Sequence, residues 1–141
     1  MSIANLLRDE IIQNVHISGE HIFVDNFTAS SLEEGFNELR VVITPITESS
    51  NLLKNAILEI SIYHQTHNEA QQVAQAIFDY FTYYLNGNLI SLKNDNNLIV
   101  KRIDKQADLQ NLGFTKEKGF HFKFSLLVEY TDFNKSLLKL S

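Results

Sequence analysis

Asn55-Ala-Ile-Leu-Glu-Ile-Ser-Ile-Tyr-His64 decides the fold. Its apolar residues recur with a period of two: Ala56, Leu58, Ile60 and Ile62 share one side, and Ile57, Glu59, Ser61 and Tyr63 the other. An apolar face backed by a half-polar one is the signature of a strand in a sheet covered on one side. The period changes within a few residues. After Thr66-His-Asn68, the residues Val73, Ala76, Ile77, Tyr80, Phe81 and Tyr84 follow at steps of three and four, with Gln71, Gln72, Gln75, Asp79 and Thr82 opposite them. That spacing predicts an amphipathic helix from about Asn68 to Leu85. Asn68 is its expected N-cap, Glu69 lies in its first turn, and Asn86-Gly87 is its expected C-cap. The strand's apolar face and the helix's apolar stripe both leave water if the two pack together.

Outward from this pair, Gly119-Phe-His-Phe-Lys-Phe-Ser-Leu-Leu-Val-Glu-Tyr130 alternates again. Phe120, Phe122, Phe124, Leu126, Val128 and Tyr130 form its inner face, against His121, Lys123, Ser125 and Glu129. Upstream, Glu38 to Ile46 is rich in β-branched residues and reads as a strand. Thr47 to Asn51 is turn chemistry, so residues 38–64 are expected to form an antiparallel hairpin with a loop near 47–54. Pro45, the only proline, lacks an N–H and belongs at the strand's end or on an edge. Residues 3–15 place Ile3, Leu6, Leu7, Ile11 and Val15 on one helical stripe, opened by Ser2 and closed by Ser18-Gly19. Residues 20–27 read as a short strand. Ser31 to Glu34 has the form of a capping box within a loop or single helical turn. Asn94 to Asn97 reads as a turn, 98–107 as a strand with mixed faces, 111–118 as a polar connection, and 134–141 as an amphipathic tail. The expectation is a single α+β domain spanning 1–141. Its twisted, mostly antiparallel sheet has four or five strands, with the N-terminal and central helices packed on one face.

Composition narrows the function classes. With 17 acidic against 12 basic residues, the net charge of −5 argues against generic nucleic-acid binding, which needs clustered Lys and Arg to neutralise phosphates. The basic groups at Lys101, Arg102 and Lys105, and at Lys116, Lys118 and Lys123, are interleaved with Asp104, Asp108 and Glu117. No cysteine is present, so disulfides and thiolate metal sites are excluded. No apolar run approaches the roughly 18 residues of a membrane-spanning helix, and the first ten residues do not have the form of a signal peptide.

Candidate chemistry is sparse. His64 and His67 straddle a strand–helix junction with no third ligand at a recognisable spacing, His121 lies on a polar strand face, and His16 and His21 flank a turn. The carboxylate pairs Asp9/Glu10, Glu33/Glu34 and Asp104/Asp108 read as solvated faces and not as a converging acid–base pair. Glu59 and Lys123 could form a cross-strand ion pair. The five glycines are isolated, so no phosphate-binding glycine motif can be written. Tyr80, Phe81 and Tyr84 are expected in the core, and Tyr83 exposed. No catalytic, cofactor-binding or metal-binding residue is assigned, and an enzymatic role is not expected.

The order of elements nevertheless resembles a family. An N-terminal helix leads to a strand of the type Arg40-Val-Val-Ile-Thr-Pro45. A Ser/Asn-rich loop precedes Glu59-Ile-Ser-Ile62, an Asn68-initiated helix carries Ala74 and Ile77, and an aromatic-alternating strand closes on Glu129-Tyr130. From about residue 3 to residue 131 this resembles the tail-terminator and minor capsid (head–tail joining) proteins of long-tailed bacteriophages and prophages. The resemblance implies helices packed on a twisted sheet and a structural virion role. It also implies a homo-oligomeric ring, commonly a hexamer, that caps the tail tube. Its partners would be the major tail tube protein and the head–tail connector. It implies no catalytic residue, cofactor or membrane partner, and a place at the head–tail interface of the virion after synthesis in the host cytoplasm. The alternatives are another connector or minor capsid component, or a small ligand-binding α+β domain using His64, His67, Glu59 and His121.

Overall fold

In a computed structural model, which describes residues 3–24, 39–48, 53–85, 90–91 and 98–132, β1 (Ile22–Val24), β2 (Arg40–Glu48), β3 (Leu53–His64), β4 (Ile90–Ser91), β5 (Leu98–Thr115) and β6 (Gly119–Asp132) join in one sheet. The order is β1-β2-β3-β6-β5-β4. Five strands have three or more residues, and β4 contributes a two-residue pairing at one margin. Only β1 and β2 run parallel, so the sheet is mixed and mostly antiparallel.

The two strands singled out by alternation are neighbours at the centre, paired without interruption from Leu53↔Thr131 to His64↔Phe120. Register therefore carries the period-two pattern across both strands at once. Ala56, Leu58, Ile60 and Ile62 are fully buried, as are Leu126 and Val128, with Phe124 only 1% exposed. They share one core with Val41 and Ile43 of β2 and Val100 and Ile103 of β5.

Both helices close that core from the same side. Helix α1 (Ile3–Glu10) contributes Ile3, Ala4, Leu6 and Leu7, and α2 (His67–Asp79) contributes Ala70, Ala74 and Ile77. Each continues into a π-helical turn, Ile11–Val15 and Tyr80–Tyr84. In the second, the Thr82 hydroxyl donates to the Phe78 carbonyl at 2.7 Å and the Leu85 amide donates to the Tyr80 carbonyl at 3.1 Å. The hydroxyl's competition for the Phe78 carbonyl accompanies the widening of the ladder. The second turn meets the end of α1 where the Tyr80 hydroxyl donates to Glu10 at 3.1 Å.

Several expectations are corrected in detail. The buried line of α2 and its π-turn is Ala70, Ala74, Ile77 and Phe81, while Ala76 is exposed and Val73 and Tyr80 are half-buried. Two alanines on the contact line let the helix lie close to the sheet, and the bulkier side chains straddle it. The N-cap is Thr66, not Asn68. The Thr66 side chain turns back to His64 Nδ1, 3.1 Å away, so only its backbone carbonyl caps, accepting from Ala70 N. Residues 111–115 are not a loop but the end of β5, and the turn is confined to 116–118. Pro45 lies inside β2, beside a register shift between Pro45 and Thr47 and beyond the last residue paired to β1. A residue without an N–H fits there. Of the strand expected at 20–27, Glu20 and His21 belong to a 3-10 turn (Gly19–His21), Ile22–Val24 form β1, and 25–27 lie outside the described residues. The Ser2 cap, the 31–34 capping box, the Asn86-Gly87 cap, the 94–97 turn and the 134–141 tail lie outside the described residues.

Candidate interaction surfaces

With both described helices on one side, alternate residues of β2, β3, β6 and β5 point the other way. Across the centre of this second face, Val42 lies level with Ser61 and Lys123, and Thr44 with Glu59 and Ser125. Ile57 and Leu127, directly opposite each other, are half-buried, with Glu59 and Glu129 as same-face neighbours along their strands. Apolar, small polar and charged side chains are therefore mixed across β2, β3 and β6.

Glu59 and Lys123 do not form the anticipated pair. Ser125 stands opposite Glu59 and Ser61 opposite Lys123, so the two charges are diagonal neighbours. No ion pair joins them among the described residues. Near the strand ends, Tyr63 stacks on His121 with ring centroids 4.2 Å apart, and His121 Nε2 lies 3.0 Å from the Ser61 hydroxyl. Burial, then the ammonium groups of Lys118 and Lys123, push the imidazole down to about 4. Burial also raises the Tyr63 phenol, opposed by a hydrogen bond with Ser61 and reinforced by Glu59. A serine hydroxyl beside an imidazole invites a nucleophile–base reading. Ser61 is only 6% exposed, however, and so weak a base draws protons poorly at neutral pH. The contact satisfies one buried and one half-buried polar group.

The other candidate residues fall elsewhere. His64 and His67 lie toward the helix-covered side: His67 packs its ring edge-on to Phe120 at 5.2 Å, and His64 Nδ1 accepts from the Thr66 amide at 3.0 Å. The sheet stands between them and the Glu59/His121 face, so the four do not converge. His16 takes a left-handed φ of 62° to end the first π-turn, and His21 sits 3.4 Å from Glu20. Among the described residues no group of three His, Asp or Glu could hold a metal. Asp104 and Asp108 are each engaged by a cation, Arg102 and Lys105, both at 2.6 Å. Glu10 accepts from Tyr80, while Glu33 and Glu34 lie outside the described residues.

No family model and no curated protein matches this chain. Among the described residues no helix is long and apolar enough to cross a membrane.

Two features escaped the sequence reading. Register shifts between Lys105 and Ala107 and between Ala107 and Gln110 open a shallow cleft of about 240 Å³ on the helix-free face, lined by Glu59, Gln106, Asp108, Gln110, Lys123 and Ser125. It falls below the roughly 300 Å³ of an ordinary small-molecule site. The second is the far end of the β5–β6 hairpin, where Leu112 is 46% and Phe114 54% exposed. Leu109, Leu112 and Phe114 were its only signal, apolar residues within a stretch that otherwise reads as a polar connection.

Proposed function

We propose that this chain is a structural virion protein, a tail terminator that forms a homo-oligomeric ring, caps the tail tube and meets the head–tail connector. One observation carries the reading: both described helices pack on one face of the sheet, and the opposite face mixes apolar, small polar and charged side chains. That mixture matches subunit surfaces that meet through a partly wet interface. The segments behind the resemblance also occupy neighbouring places. The Arg40–Pro45 and Glu59–Ile62 stretches pair with each other, the helix follows directly, and the strand through Glu129-Tyr130 flanks β3.

The test mixes the purified protein with tail tubes assembled without a terminator, viewed by electron microscopy. The expected result is a ring at one tube end and arrested elongation. Tubes that bind no protein and continue to lengthen would overturn the reading. The ligand-binding alternative is less well supported, because its four residues lie on opposite sides of the sheet.

A further inference from the structure

The molecule has two dissimilar ends. Helix α2 starts beside the β5–β6 turn, where His67 meets Phe120 and Phe122, and runs along β6 so that Phe78 stacks edge-on to Phe124 at 5.2 Å. Its C-terminal end is therefore remote from the hairpin turn. At the hairpin end the apolar layer extends past the start of the helix. Phe114 packs 4.9 Å from Phe120 yet is more than half exposed, beside exposed Leu112. The adjoining turn carries Lys116 and Lys118 against Glu117, all three exposed, while Glu69 on the first turn of α2 is exposed at the same end beside His64.

The helix end has the opposite character. Tyr83, on the π-helical turn, is 82% exposed. Asp79 closes α2, Glu10 approaches through its hydrogen bond from Tyr80, and neither α2 nor the turn after it has a basic residue in its last turn. The carbonyl end of a helix is itself partially negative, so an incoming ammonium group is favoured there.

We infer that the hairpin end of one copy docks on the α2 C-terminal end of the next, with Phe114 and Leu112 against Tyr83 and the two lysines toward Asp79 and Glu10. Pairing two hairpin ends with each other would instead set Lys116 and Lys118 against their own copies. Because the two patches differ, the contact is heterologous and repeats head to tail, closing into a ring if the rotation allows. The inference rests on the proposed ring for its closure, not for the contact itself.

Sedimentation velocity on the full chain tests it with two charge reversals. One variant carries Lys116→Glu with Lys118→Glu, and the other carries Asp79→Lys. Each alone is expected to weaken self-association at least tenfold at unchanged circular dichroism. An equimolar mixture is expected to recover it, because each reversed patch then finds its complement on the other variant. Phe114→Ser is expected to weaken association independently of charge. A wild-type chain that stays monomeric at high concentration would overturn the inference, as would reversals that leave association intact or a mixture that fails to recover it. Tube capping by a monomeric wild-type chain would refute this contact and leave the proposed function standing. Charge-rescued association without tube capping would do the reverse.

Discussion

Gly119 shows how one atom can fix a connection. Its φ of +79° is disfavoured for L residues, and a Cβ there would lie 2.5 Å from the His64 carbonyl oxygen. Gly113 has a similar φ of +88° but open space around it. Conformational strain alone costs about 1 kcal/mol, and a backbone clash adds to it. Gly119→Ala is therefore expected to destabilise the fold clearly more than Gly113→Ala in urea melts. Equal losses would mean that the approach to His64 relaxes freely. The Tyr63–Ser61–His121 contact makes a different prediction at the same scale. With His121 held at about 4 against an ordinary 6.5, the unfolded chain takes up a proton between those values that the folded chain refuses. This contribution is complete above pH 6.5 and is lost as pH falls toward 4. Tyr63, Ser61, Glu59, Lys118 and Lys123 are the polar and charged groups around the ring, and the two lysines also oppose its protonation. Urea melts from pH 7.5 to 4.5 are expected to show a shallower decline for His121→Gln than for the wild type. An identical decline would place the sensitivity elsewhere.

Among the elements, β6 carries most of the packing burden, since it pairs with β3 and β5 and lies beneath α2. Phe124 is 1% exposed, so Phe124→Ala is expected to cost about 3–5 kcal/mol. Phe114→Ala, at a site more than half exposed, is expected to cost under about 1 kcal/mol by chemical denaturation. Comparable losses would show that the hairpin end is part of the core. This contrast also marks what was legible in the sequence. The inner faces of β3 and β6 were, because a period of two cannot slip by one residue without exposing a whole apolar set. The exact buried line of α2 was not, because Ala70 and Ala74 have little apolar weight in a sequence pattern and gain their place from close approach to the sheet. Residues 111–115 read as a loop because Asn111, Gly113 and the lysines beyond them are turn chemistry, whereas bulges in β5 absorb Gly113 within a strand. No amphipathic pattern encodes the cleft, which lies where register shifts break the β5–β6 pairing.

For the molecule as a whole, the sheet's margins bear on how copies can meet. A bare strand edge invites uncontrolled pairing, and proteins blunt it with proline, charge and bulges. On the described residues, β1 covers β2 only from Val41 to Ile43, and beyond that Pro45 offers no N–H. Ile46 follows at 52% exposure beside the register shift. At the other margin, among the described residues, β4 pairs with two residues of β5, and four register shifts break the β5 pairing while Lys101, Arg102, Asp104, Lys105 and Asp108 charge it. Both margins thus disfavour joining copies by continuing the sheet, so the proposed assembly would use side-chain contacts between ends and faces. Restoring a pairing edge should reveal this protection. Pro45→Val returns an N–H and a β-branched side chain beside exposed Ile46. It is expected to leave the melting temperature within a few degrees of wild type while promoting slow, thioflavin-positive aggregation at concentrations where the wild type scatters no additional light. If Pro45→Val stays as clear as the wild type over days, Pro45 is not what protects this margin, and the bulge after it must suffice alone.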